Sequence, residues 1–196
     1  MGRRCRMDNR ETILQCALEL FYKKGYDAAG VQEIVETAGI TKPTMYYYFK
    51  SKRGLLDALI KERGEPLLDE LLAVQQSLLR FEDQLYELAR IYVNFCRRES
   101  HFYFFMLGQM YSAADNEAHE AASPFIRRQY KLITDTFAKA EDYLGNMNGR
   151  QEQFAIGFLG TINCYLMVYN EKSMENMLRD ENIHAVVHQF LHGIYS

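Results

Sequence analysis

Through most of the chain the apolar residues return at intervals of three and four, the spacing of one buried helical face, and this periodicity restricts the fold more than any other feature. Ile13, Ala17, Leu20 and Phe21 mark a first helix over about residues 8–24, with Gly25 as its stop. Val31, Ile34, Val35 and Ala38 mark a short second helix, closed by Gly39 where a left-handed residue ends a helix. Thr41 suits the N-cap of a third. Lys42 and Pro43 fall in its first turn, where a missing N–H costs nothing, and Met45 and Phe49 point inward. A fourth helix starts at Ser51 and carries Leu55, Leu56, Leu59 and Ile60 towards Leu68, Leu71 and Leu72. Pro66 falls inside it beside Gly64, so a kink or break is expected between Glu62 and Pro66.

Beyond that joint the pattern stays helical. Leu85, Leu88, Ala89, Tyr92, Phe95 and Cys96 stripe a fifth helix, and His101 to Tyr111 forms a dense aromatic sixth. Residues 112–122, small and polar, read as a loop or frayed turn. Ser123-Pro124 restarts a helix with a cap and a first-position proline, running to about Leu144. Gly145 to Gly149 is a turn cluster, followed by an uncharged helix and a last one from about Asp180 to Ile194. With only three prolines and 48% hydrophobic residues there is core enough and little room for linkers. The expected fold is all-α, with about nine helices: an N-terminal three-helix helix-turn-helix domain over residues 1–63 and a helical body over residues 64–196.

Two features bear on compartment. From Gln153 to Asn170 there are 18 residues without a charge, but as a helix they reach about 27 Å, short of the roughly 30 Å of a hydrocarbon core, and Thr161 and Asn163 lie inside. A helix buried by protein is expected rather than a membrane span. Cys5, Cys16, Cys96 and Cys164 lie too far apart for a short-range metal pattern or a dense disulfide framework, which points to reduced thiols in a cytoplasm.

The net charge of −3 hides an asymmetry. Residues 1–63 carry 12 Lys/Arg against 8 Asp/Glu, net +4, and residues 64–196 carry 11 against 18, net −7. A basic front on an acidic body suits a front that meets a polyanion. Arg3, Arg4, Arg6 and Arg10 sit ahead of the first helix or in its first turn, where the helix dipole disfavours cations. Two short amphipathic helices joined by a Gly-containing turn, behind a longer helix, describe a helix-turn-helix unit. Its third helix offers Thr41, Lys42, Thr44, Tyr46 and Tyr47 away from the Met45/Phe49 face, with Tyr48 beside it and Lys50 and Lys52 past its end. Lysine and hydroxyl groups on one short helix can dock phosphates, and those near its N-terminus can meet base edges in a major groove.

On these residues the chain resembles the TetR family of bacterial transcriptional regulators. The resemblance covers Ile13 to Ile60, above all Ala38-Gly39-Ile40-Thr41-Lys42-Pro43-Thr44-Met45-Tyr46-Tyr47-Tyr48-Phe49-Lys50-Ser51-Lys52, with Leu55-Leu56 after it. It implies a helix-turn-helix of three helices plus the start of a fourth, an all-helical ligand-binding and dimerisation domain, and binding as a homodimer to a palindromic double-stranded DNA operator. It also implies Lys42 and Pro43 as base-facing, Tyr46 and Tyr47 as backbone and groove contacts, and Tyr48 and Lys52 as phosphate contacts, with Thr44 a further candidate. Pro43 departs from a position that is often Gly, and Gly30 stands where Ser or Thr commonly caps the second helix. Gln32 is then the best polar residue of that helix to reach DNA.

The body must be read from its chemistry. On the uncharged helix Phe154, Phe158, Thr161, Tyr165 and Val168 form one stripe, and Ala155, Leu159, Ile162, Leu166 and Tyr169 another. A helix with two apolar faces needs two neighbours. Gly157, Gly160 and Thr161 would admit a close backbone, and the last helix is broadly apolar, so both are expected to pair with their copies across a two-fold axis. Phe158, Ile162, Leu166, Val187, Phe190 and Leu191 are the expected interface residues. Phe102, Tyr103, Phe105, Met106 and Met110 of the sixth helix, with Phe125, Tyr130, Phe137 and Tyr165, are the expected lining of a pocket for a small hydrophobic or aromatic effector. His184, His188 and His192 repeat every four residues, but no carboxylate or thiol at matching spacing completes a metal site in that segment. No metal, cofactor or membrane partner is expected. No phosphate-binding Gly loop, nucleophile elbow or His-Glu-x-x-His occurs, which argues against an enzyme. Two other classes stay open: a helical-bundle enzyme with an aromatic pocket, and a protein-interaction module using the third helix.

Overall fold

The computed structural model describes residues 8–141, 149–168 and 179–193. Arg3, Arg4, Arg6, Tyr169, Ile194 and most of the expected turn cluster at 145–149 lie outside them. Among the described residues the chain is all-α, with nine helices and no strand. These are α1 (Asn9–Lys24), α2 (Val31–Thr37), α3 (Lys42–Phe49), α4 (Lys52–Gln75), α5 (Phe81–Arg98), α6 (Ser100–Gln109), α7 (Glu117–Lys139), α8 (Gln151–Val168) and α9 (Asp180–His192). They divide into two compact units, each assembled from separated stretches. One takes the chain up to Gly64 together with His101–Pro124; the other takes Glu65–Ser100 and the chain from Phe125 onward.

In the first unit α1, α2 and α3 pack on one another. Each buries the stripe its spacing marks: Ile13, Ala17 and Phe21 from α1, Ile34 and Val35 from α2, Met45 and Phe49 from α3. Each large side chain so buried contributes about 1.5–3 kcal/mol. The starts of α1 and α4 and the turn at Gly39 agree with the sequence. The Asp8 carboxylate accepts from the Arg10 N–H, the Ser51 hydroxyl accepts from the Gly54 N–H at 2.9 Å, and Gly39 turns the chain at φ +66°.

Two boundaries depart from the sequence reading. α4 runs unbroken from Lys52 to Gln75 with Pro66 inside it, so the expected break is absent. Pro66 is exposed and gives up one backbone bond at a cost of about 3 kcal/mol, while Leu67, Leu68 and Leu71 beside it are buried and more than offset that cost. α7 begins at Glu117 rather than at Ser123. The Asn116 side chain caps it, accepting from the N–H groups of Ala118 at 2.9 Å and His119 at 3.2 Å, and Ala118, Ala121 and Ala122 are buried. Residues 112–116 are thus the turn that was expected, while 117–122 belong to a helix whose inner face is made of small residues.

In the second unit α5, α8 and α9 pack on one another. Phe137 of α7 stands among four rings, its centroid 5.2 Å from Phe81, 5.9 Å from Phe154, 6.1 Å from Phe190 and 6.4 Å from Phe158. The side of α8 expected to meet a second copy is instead turned into this core: Phe158, Ile162 and Leu166 are buried within the chain, as is Val187 of α9. The reason is that α5 and α9 already supply the two neighbours that a doubly apolar helix needs. Phe190 and Leu191 are half-buried, and Ile156, Cys164, Met167 and Val168 are exposed on α8. No helix among the described residues is long and apolar enough to cross a membrane.

Candidate nucleic-acid interface

α3 presents one side to its unit and the other to solvent. Met45 and Phe49 are fully or nearly fully buried, whereas Lys42, Pro43, Tyr46 and Tyr47 are exposed, Tyr47 at 74%. Thr44 and Tyr48 are half-buried at the edges. The division follows from helical geometry: residues four apart share the inner face, and three consecutive tyrosines must sweep round to the outer one. Thr41 holds the N-cap position, but its hydroxyl bonds the Thr44 hydroxyl at 2.9 Å rather than the helix N–H groups. The N–H groups of Lys42 and Thr44 therefore have no side-chain cap, at the end of the helix where the dipole favours an anion.

The tyrosine surface is braced from within. The rings of Tyr47 and Tyr48 meet edge to face at 5.2 Å, and the Lys50 ammonium lies 5.8 Å from the Tyr47 ring centroid while donating to the Tyr47 carbonyl at 3.1 Å. Lys50 itself closes α3 at φ +66°, a conformation L-residues seldom adopt. Lys52 is half-buried. Its ammonium sits over the Tyr26 ring, and this burial lowers its proton affinity from the ordinary lysine value. Gln32 is exposed on α2 and donates to Glu36 of its own helix.

Arg10, read as part of a basic leading segment, is engaged inside the unit. It pairs with Glu62 of α4 and lies 5.3 Å from the Phe49 ring centroid. The hydrogen bond from Arg10 holds the Glu62 carboxyl below the usual carboxylate range. Two residues that position the interface escaped the sequence reading. Gly54 passes so close to the end of α3 that a Cβ there would lie 2.1 Å from the Phe49 carbonyl oxygen. A glycine in the first turn of a helix, where it is a poor helix former, was its only signal. Tyr26 follows the stop of α1, is 4% exposed, and packs on Phe21 at 5.2 Å; no periodicity announced it.

The residues expected to line a pocket fall in both compact units. Phe102, Tyr103, Phe105 and Met106 are buried in the first, where Phe105 stacks on Phe21 at 5.7 Å, and Met110 is half-buried. Phe125 and Phe137 are buried in the second, and Tyr130 and Tyr165 half-buried. The Tyr165 hydroxyl donates to Gln189 at 2.7 Å. A surface cleft of about 400 Å³ in the second unit is lined by other residues, among them Leu78, Leu79, Phe81 and Lys139. His184 stacks on Tyr86 at 3.7 Å, and His188 and His192 lie 4.4 Å apart. Among the described residues no three His, Cys, Asp or Glu side chains gather as a metal site.

Comparison with known proteins adds to this geometry. Residues 13–59 match the family model described as bacterial regulatory proteins, tetR family. The tetracycline repressor protein class D of Escherichia coli is 43% identical over 54 residues, which are 28% of this chain and 25% of that protein. The chain thus spans about a quarter of the length of the curated relatives it matches first. Whole-chain similarity lies in the fold. A putative fatty acid metabolism regulator of Clostridium perfringens superposes with a TM-score of 0.80 at 18% identity, covering 94% of this chain and 99% of that one. A transcriptional regulator FadR of Bacillus subtilis, solved in complex with stearoyl-CoA, superposes with a TM-score of 0.73 at 16% identity, covering 94% and 99%.

Proposed function

We propose that this chain, a member of the TetR family of bacterial regulatory proteins through its residues 13–59, is a ligand-responsive transcriptional repressor that binds a palindromic operator as a homodimer. The observation that carries the reading is α3, which buries Met45 and Phe49 and turns Lys42, Pro43, Tyr46 and Tyr47 outward together. Each subunit lays α3 in a major groove, the two grooves about 34–36 Å apart along one face of the duplex, and Lys52 and Tyr48 meet phosphates at its margin. The basic front supplies salt-dependent affinity. A mobility-shift assay on the DNA upstream of its own gene tests the reading, and it fails if the purified protein retards no duplex at low salt.

Within that interface Lys42→Ala is expected to relax sequence preference, costing about 1–3 kcal/mol against the favoured base pair and little against others. Affinities for a set of single-base variants of a selected duplex measure this. An unaltered profile removes Lys42 from base reading.

The second copy is placed on the exposed side of α8, where Ile156, Gly160, Cys164 and Met167 recur at helical spacing and Ile156 and Met167 are 51% and 58% exposed. Ile156→Glu is expected to give monomers in light scattering while each monomer stays folded; a surviving dimer puts the interface elsewhere. The effector is a small molecule with a large apolar part. The aromatic and methionine residues of the body support this class, as does the stearoyl-CoA held by the Bacillus subtilis FadR. A coupling of about 1–3 kcal/mol per ligand would release the operator roughly 5- to 150-fold. α4, continuous through Pro66, contributes to both compact units and is the covalent path for that coupling.

A further inference from the structure

Lys52 rests on a support built from a distant part of the sequence. Its ammonium lies 4.1 Å from the Tyr26 ring centroid and donates to the Asp27 carbonyl at 3.4 Å. The Tyr26 hydroxyl in turn donates to the carboxylate of Glu117, in the first turn of α7. Beside that bond the Asn116 amide donates to the Asp27 carboxylate at 2.7 Å, and the Arg53 guanidinium donates to the Glu117 carbonyl at 3.3 Å. All of these residues belong to the first compact unit.

The chemistry runs in one direction. Burial and the bond to Glu117 hold the Tyr26 phenol far above its ordinary value, so it stays a donor. A phenol that donates to a carboxylate keeps more electron density in its ring, and an ammonium over that ring is attracted by the density. The ring itself is 4% exposed and cannot swing, so the ammonium is offered at one place on the surface instead of sampling the rotamers of a free lysine.

The geometry points to Glu117 as a positioning residue for the phosphate contact of Lys52, acting through Tyr26, with Asn116 tethering the neighbouring Asp27. The inference rests on the DNA-binding reading above and deepens it: the strength of one operator contact is set from the start of α7.

The test is the salt dependence of binding to a duplex that the wild-type protein selects from a randomised pool. Lys52→Ala is expected to weaken binding and to reduce the slope of log affinity against log salt by about 1.8, the share of two phosphate contacts, one from each subunit of the dimer. Glu117→Ala and Tyr26→Phe, which remove the two ends of the bond and leave the ring in place, are each expected to weaken binding about three- to tenfold. Neither should weaken it further in a Lys52→Ala background, because the contact they serve is already gone. Glu117→Gln, whose amide oxygen still accepts from Tyr26, should retain most of the wild-type affinity. Losses that multiply independently with that of Lys52→Ala would mean a general structural role and overturn the proposal, as would unchanged binding by Glu117→Ala. If Lys52→Ala itself binds with wild-type affinity and slope, Lys52 is not a phosphate contact and the proposal falls with that assignment, while the base-reading role of Lys42 is judged separately.

Discussion

Gly54→Ala is expected to lower stability by on the order of 3 kcal/mol and to abolish duplex binding at concentrations where the wild-type protein is saturated. The added methyl would sit 2.1 Å from the Phe49 carbonyl oxygen and 3.3 Å from its carbonyl carbon. Both are backbone atoms, so no side chain can step aside. Either the last turn of α3 or the first turn of α4 must shift, and the shift also strips the Ser51 hydroxyl of the Gly54 N–H it caps. Since Tyr46, Tyr47 and Lys50 all hang from that last turn, the surface offered to DNA moves with it. Gly108→Ala is the matched control. Gly108 is an exposed residue of α6 with nothing within 4 Å of an added Cβ, so alanine there should be neutral or stabilising by about 0.5–1 kcal/mol. Urea denaturation and a mobility shift of both variants decide the matter, and a Gly54→Ala protein indistinguishable from wild type in both would show that the turn between α3 and α4 opens readily enough to admit the methyl.

The other large effect belongs to the second unit. Phe137→Ala should cost about 3–5 kcal/mol, because Phe137 is 2% exposed and its ring is shared by Phe81, Phe154, Phe158 and Phe190, whose mutual contacts cannot close over the space it leaves. The size of the loss separates two roles. A residue of a packed core leaves an unfilled cavity when truncated, whereas one that lines an open pocket has contacts on one side only and gives up about 1 kcal/mol or less for the same change. The midpoint of urea unfolding reads the difference directly.

How much of this could be read from residue order varied with the kind of signal. α1, α2 and α3 were legible because each has a residue that ends it and a single apolar stripe, and the outward set on α3 follows from the inward pair Met45 and Phe49. The start of α7 was hidden because Ala118, Ala121 and Ala122 bury without giving hydropathy contrast. A kink or break was expected in α4 because a proline's local cost is visible in sequence, while the burial of Leu67, Leu68 and Leu71 is decided by distant partners. On α8 both faces are apolar, so composition could not say which meets the chain's own α5 and α9. The bond between Tyr26 and Glu117 spans 91 residues, and no local pattern joins them.

The discontinuity of the first compact unit sets a rule for anyone who would cut and splice such chains. A fragment ending near residue 63 carries α1, α2 and α3 but leaves behind His101–Pro124, and with it the ring that stacks on Phe21 and the acceptor for Tyr26. Chimaeras that transplant only the leading segment onto a foreign body would inherit an operator reader with an unmatched underside. Those that carry both stretches together would keep that underside matched.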